Sequence, residues 1–250
     1  MEERYSRNRI YIKENEQERI KHFHVLLGGA GIGSNIAECA LRIGFETMTI
    51  VDGDKVEESN LNRQGYTMED IGQYKAECLK KRLLAINPKA HITAINTFID
   101  HNNVQEIIGN CNVAVNALDF KNDIPFAFDE VCREKNIKVL HPYNFGWAGF
   151  LTVATPDGMP ISSLSRGIAN DFELKMANYV VGYKAFWMEP MDWLEKVVRQ
   201  FEQADGTLPP PQLAVASWIV GGLCATALFQ IATGKPLENF PKFYLDTIIK

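Results

Sequence analysis

Six residues, Gly28-Gly29-Ala30-Gly31-Ile32-Gly33, stand between the apolar run His24-Val25-Leu26-Leu27 and a stretch, Ile32 to Ile43, with helical spacing of apolar side chains. Small residues at such a junction let the backbone turn tightly and approach a phosphate. The helix that follows offers unpaired N–H donors and the positive end of its dipole. Nineteen positions after Gly33, Asp52 closes a second apolar run, Thr47 to Val51. A carboxylate at that strand end accepts hydrogen bonds from ribose hydroxyls. Together these residues imply a nucleotide site. Ala30 takes the middle small position, so the spacing departs from a strict G-x-G-x-x-G. Asp52-Gly53-Asp54 is also ordinary turn chemistry, and to this point an NAD(P)-dependent oxidoreductase fits as well as an ATP-using enzyme.

The next residues separate the two. Asp52-Gly53-Asp54-Lys55-Val56-Glu57-Glu58-Ser59-Asn60-Leu61-Asn62-Arg63-Gln64 matches D-x-D-x-V-x-x-S-N-L-x-R-Q. Further along stand Gly72-Gln73-Tyr74-Lys75-Ala76-Glu77, Asp119 after the run Val113-Ala114-Val115-Asn116, and Gly146-Trp147-Ala148-Gly149; upstream stands Arg4-Tyr5-Ser6-Arg7. In these segments the chain resembles the ThiF/MoeB/HesA family, which includes the adenylation half of ubiquitin-activating enzymes. The resemblance covers about residues 4 to 156 and, more loosely, Pro211 to Gly234. An oxidoreductase would leave Ser59 to Gln64 unexplained.

The resemblance implies adenylation, in which a carboxylate oxygen attacks the α-phosphorus of ATP and expels pyrophosphate. Charge builds on the phosphates, so such a site needs cations in fixed positions. The family pattern implies Arg63 and Lys75 as phosphate clamps, suited respectively to bidentate and point-charge contact. It implies Gly28, Gly29, Gly31 and Gly33 as the phosphate loop, and Asp52 and Asp54 on the nucleotide. Asn60 and Gln64 would hold phosphate or ribose oxygens, and Asp119 would hold Mg²⁺. Arg7 would reach across a homodimer into the partner's ATP site. The implied acceptor is the C-terminal carboxylate of a ubiquitin-like or sulfur-carrier protein. A tRNA-base carboxylate, as in the zinc-less tRNA-modifying dehydratases of the family, is the variant within the same chemistry, and the acidic balance weighs against it. Retention of Arg63, Lys75 and Asp119 argues against a non-catalytic partner subunit.

Departures from the pattern narrow the expectation. No cysteine lies between Pro156 and Pro211, so no thioester is expected on this chain, and without Cys-x-x-Cys pairs no zinc is expected either. Phe120 and a shifted Asn122 replace the Asn and Arg that the family carries after its aspartate. Cys132 and Cys224 lie on apolar helices, where core packing is their expected role.

These residues need elements to position them. Apolar runs and helical spacings alternate: a helix over Tyr74 to Ile86 stopped by Asn87-Pro88, a strand over His91 to Phe98, a strand over Val113 to Leu118, a helix over Ile124 to Lys135, then strands at Val139-Leu140-His141 and Phe150 to Ala154. This predicts an α/β fold, a Rossmann-like, mostly parallel sheet with helices on both faces and a C-terminal antiparallel and helical extension. We read residues 1–250 as one unit, with 1–156 binding ATP and 157–250 serving acceptor binding and dimerisation. Residues 157–170 read as a loop and Phe172 to Ala204 as helical with gaps; Pro209-Pro210-Pro211 is a hard break.

Composition agrees with a filled core: of 250 residues 46% are hydrophobic and 23% charged. With 26 Lys and Arg against 31 Asp and Glu, the net charge of −5 shows no global pull toward nucleic acid. Five cysteines, an odd number, suit reduced thiols in the cytoplasm, and the charged first residues lack the apolar run of a secretory signal. Leu213 to Ala232 is nearly long enough to cross a bilayer, but a buried helix gives the same pattern, and no membrane is expected.

Overall fold

The computed structural model describes residues 2–169, 171–204 and 209–249. Seven strands form one sheet in the order β3-β2-β1-β4-β5-β6-β7. They are β1 (His24–Gly28), β2 (Thr47–Val51), β3 (His91–Ile95), β4 (Val113–Asn116), β5 (Lys138–Phe145), β6 (Ala148–Ala154) and β7 (Tyr244–Asp246). The pairs among β1 to β5 are parallel, whereas β6 and β7 join antiparallel. The helices are α1 (Glu14–Lys21), α2 (Gly33–Ile43), α3 (Lys75–Ile86), α4 (Val104–Ile108), α5 (Ile124–Glu134), α6 (Phe172–Phe186), α7 (Asp192–Gln203) and α8 (Ala214–Thr233). The fold is thus the mostly parallel, Rossmann-like sheet that the alternation predicts.

Local chemistry accounts for the elements. β1 and β4 are buried on both faces and therefore read as unbroken apolar runs rather than alternations. α2 ends on Gly44, whose φ of 119° is the left-handed cap that glycine adopts without a steric cost. Pro125 sits in the first turn of α5, where its missing N–H breaks no helical bond. α1 has little apolar periodicity; it buries only Gln17 and Ile20.

The core is split by the sheet. On one side Ile36, Leu41, Leu79 and Leu228 pack from α2, α3 and α8; on the other Phe128, Phe172, Val180 and Leu194 pack from α5, α6 and α7. Each such side chain removed from water contributes about 1.5–3 kcal/mol before conformational entropy is set against it. α8 is long and apolar enough to cross a membrane. In the fold, one face of it lies on α2 and β6, while Val215 and Trp218 are exposed. Close packing there needs glycine: a Cβ on Gly149 of β6 would stand 2.5 Å from Cγ2 of Ile219.

β1 pairs with β2 on one side and β4 on the other, with Gly28 opposite both Val51 and Asn116. The chain leaves β1 toward β2 and returns through β4, so the C-terminal ends of these strands flank a topological switch point. In open α/β sheets that crevice is where ligands bind.

Candidate nucleotide site

The glycine loop emerges at this crevice and is clamped from both sides. Gly29 N donates to Val51 O at 2.9 Å, and Ala117 N donates to Gly28 O at 2.8 Å. Gly29 has φ of 96°, and a Cβ on it would stand 2.4 Å from the carbonyl oxygen of Ala117. No other residue type fits there without moving β4. Asp52, at the end of β2, holds the loop in turn. Its Oδ2 accepts from Ala30 N at 2.7 Å and its Oδ1 from Asp54 N at 2.7 Å. Burial pushes the Asp52 carboxyl above the usual range, while those two N–H donors and the charge of Lys75 pull against the shift. The exposed Phe98 ring lies against Gly53, an aromatic wall beside the carboxylate. Sequence reading extends the third strand to Phe98; the strand ends at Ile95, which frees that ring to turn here.

Residues 58–75 close the rim. Ser34 Oγ donates to Gly31 O at 2.7 Å and accepts from Gly65 N at 2.9 Å. The buried Tyr66 hydroxyl donates to Ala30 O at 2.8 Å. Gln64 lies against the loop, so that a Cβ on Gly31 would stand 3.3 Å from Nε2, and its Oε1 is buried with no partner. As an acceptor, that oxygen can be met by a hydroxyl or amine donor but not by phosphate oxygens. Asn60 is committed locally: its Oδ1 accepts from Glu57 N at 3.0 Å. Lys75 opens α3, is buried, and places Nζ 3.1 Å from Asp54 Oδ2.

Arg63 is half-buried. Nη1 donates to Ser59 O at 2.9 Å and to Asn62 Oδ1 at 2.8 Å, while Nε donates to Oε1 of Gln212. Burial lowers its pKa, and the negative charge of Asp119 opposes that shift. Asp119, exposed, pairs with Lys121 Nζ at 3.0 Å. The hydrogen bond and charge of Asp119 raise the Lys121 pKa, and Asp54 and Glu173 act in the same direction. Glu173, at the start of α6, accepts from Phe120 N at 3.1 Å and is pushed up by burial. Thus the loop, Asp52, Asp54, Arg63, Gln64 and Lys75 come together, and Asp119 is close enough to act on Arg63.

Arg7 does not join them within one chain. Its short 3₁₀ turn (Glu3–Asn8) is anchored by Tyr5 Oη donating to Glu46 Oε1 at 2.9 Å and by Asn8 Nδ2 donating to Ile43 O at 3.0 Å. Both anchors lie at the C-terminal end of α2, roughly 15 Å along that helix from the glycine loop. Phe98, Lys121, Glu173 and Gln212 also stand at the site without being predicted from sequence. None lies in a motif, and only Lys121, two positions after Asp119, carried a positional hint.

The set suits a nucleoside triphosphate. It has a glycine-rich loop, a carboxylate at the end of β2, and Arg63 and Lys75 as cations on the adjoining segment. Mg²⁺ fits more narrowly. No group of three His, Cys, Asp or Glu side chains that could hold a metal occurs among the described residues. A lone exposed carboxylate such as Asp119 supplies one oxygen, which suffices for a cation that takes most of its ligands from phosphates and water.

The ThiF family model matches residues 5–248. The chain belongs to the ThiF family. It is 29% identical over 162 residues to the SAMP-activating enzyme E1 of Haloferax volcanii, covering 62% of this chain and 59% of that protein. It is 38% identical over 161 residues to a probable molybdopterin-synthase adenylyltransferase of Porphyra purpurea, covering 63% and 42%. The chain thus spans about half the length of these curated relatives. In fold it is similar to Escherichia coli MccB solved with ATP, with a TM-score of 0.72 at 17% identity over 100% of this chain and 73% of that one.

Proposed function

We propose that this chain adenylates the C-terminal carboxylate of a ubiquitin-like or sulfur-carrier protein, using ATP and Mg²⁺. The observation that carries the reading is a glycine loop tied to Asp52 at the sheet's switch point, with Lys75 beside Asp54 and Arg63 on the segment that follows. A carboxylate oxygen of the acceptor attacks the α-phosphorus, an acyl–phosphate bond forms, and the bond to the β-phosphate breaks with its electron pair leaving on pyrophosphate. No proton need be moved, so positioned cations are the main demand. Arg63 and Lys75 meet the growing phosphate charge, and Asp52 accepts from ribose hydroxyls. When bound, Mg²⁺ neutralises phosphate oxygens, with Asp119 as its protein ligand. The names of the relatives support adenylation; an oxidoreductase would give Arg63 and Lys75 no task.

In this reading the product is the acyl-adenylate and no thioester forms on the chain. The protein works as a homodimer in the cytoplasm, each copy lending Arg7 to the other, since Arg7 is held at the far end of α2 from its own loop. The test is ATP–pyrophosphate exchange with purified carrier proteins, comparing wild type with Arg63→Ala. Exchange should depend on the carrier and fall by about 100-fold or more in the variant. No exchange with any carboxylate acceptor, together with tight NAD binding, sinks the proposal.

A further inference from the structure

Arg63 is held from outside its own segment. Its Nε donates to the side-chain oxygen of Gln212, and Asn62 Nδ2 donates to the Gln212 backbone carbonyl at 3.2 Å. Gln212 follows Pro209-Pro210-Pro211 and stands two residues before α8. The next residue is pinned as well: Asn144 of β5 donates through Nδ2 to Leu213 O at 2.8 Å and accepts from Leu213 N at 3.3 Å. The same Nδ2 lies 2.9 Å from Ser217 Oγ. A strap stiffened by three prolines, each with its φ restricted, is therefore tied to the sheet one residue from where it touches Arg63.

The chemistry of the contact is specific. An amide oxygen accepts from Nε without neutralising the guanidinium, so the full charge stays available to a phosphate while the plane of the group is set. Ser59 O and Asn62 Oδ1 engage Nη1. No hydrogen bond engages Nη2 among the described residues. A carboxylate at 212 would compete with phosphate for the guanidinium; an apolar side chain would leave Nε unmet.

We infer that Gln212, held in place by the strap Pro209–Leu213, is a positioning residue for Arg63. The inference rests on the reading of Arg63 as a phosphate clamp. It predicts that Gln212 matters for nucleotide binding only through Arg63.

The experiment is a double-mutant cycle. Gln212→Met, similar in shape but without the acceptor, and Gln212→Ala are made in the wild type and in Arg63→Ala. Binding of α,β-methylene ATP with Mg²⁺ is measured by titration calorimetry without acceptor, and thermal midpoints check folding. In the wild-type background each Gln212 variant should weaken binding roughly tenfold, the scale of a hydrogen bond to a charged group. In the Arg63→Ala background neither should weaken it further. Equal losses in both backgrounds, or no loss in the wild type while Arg63→Ala weakens binding, overturn the inference alone. Unchanged binding in Arg63→Ala overturns the clamp reading and the inference with it. If one Gln212 variant fails to fold, the other carries the same reading.

Discussion

Around the glycine loop, atoms with fixed chemistry interlock: Asp52 takes two backbone N–H groups, Tyr66 and Ser34 donate to loop carbonyls, and β2 and β4 clamp Gly28 and Gly29. In α6 and α7 the buried contacts are mostly apolar, with Met176, Val180, Leu194 and Val198 filling space behind the sheet. The difference follows from what each region has to meet. Under the proposed function the loop meets a triphosphate, which presents the same charges to every protein that binds it, so such a site dictates residue types and backbone angles. An apolar layer asks only for volume and pattern, which many residue combinations supply. One region is therefore readable as a motif, and the other only as amphipathic helix.

The sharpest way to break that contrast is Gly29→Ala. The side chain would force a φ of 96° on alanine and place Cβ 2.4 Å from Ala117 O. Backbone strain and overpacking together should cost about 4 kcal/mol, with nucleotide affinity lost as the loop shifts. Chemical denaturation and an ATP-analogue titration read the two effects. A variant that unfolds at the wild-type midpoint would mean that β4 does not clamp the loop at all.

Leu194→Ala addresses the other region. Leu194 on α7 is 2% exposed, and its removal should cost about 2–3 kcal/mol by lost transfer energy and cavity formation. The folded fraction should bind the ATP analogue with wild-type affinity, because no α7 side chain is among those gathered at the loop. A parallel drop in affinity would show that the two regions are one cooperative unit.

The same contrast explains how much is legible in sequence. Helices α2, α3 and α5 lie within one residue of where apolar spacing and stop signals put them, because each has a buried face and a clear terminator. The expected strand at Val139 to His141 extends to Phe145, since Pro142 and Asn144 interrupt the apolar run without ending the pairing to β6. α1 escapes notice because it is polar nearly all round, and the three residues of β7 are too few to show a period. At the site, Asp52, Arg63, Gln64 and Lys75 are legible because one contiguous stretch of chain carries them around the loop. Gln212 and Glu173 are silent because topology, not local pattern, brings them there: Gln212 lies 149 positions from Arg63.

The smallest expected effect tests whether the polar side owes its order to charge or to shape. Glu38 on α2 is 8% exposed; it accepts from Arg42 Nη2 at 2.8 Å and from Arg82 of α3, and so ties together the two helices beside the loop. Burial pushes its carboxyl up, but the hydrogen bonds from Arg82 and Arg42 outweigh that and hold the pKa below the ordinary value of 4.5. A lowered folded-state pKa means that the ionised form is favoured by folding. The contribution is therefore fully present above about pH 4.5 and is lost as pH falls through the lower folded value. Glu38→Gln should cost about 1–2 kcal/mol at pH 7, modest because both arginines are partly exposed. The gap between variant and wild type, read from denaturant midpoints, should narrow as pH falls below about 4.5. Asp52 is shifted the opposite way, by burial, so acid protonates it earlier than an ordinary aspartate. A gap that stays constant down to acid pH would assign Glu38 to packing, and the polar side would then be held by shape, like α6 and α7.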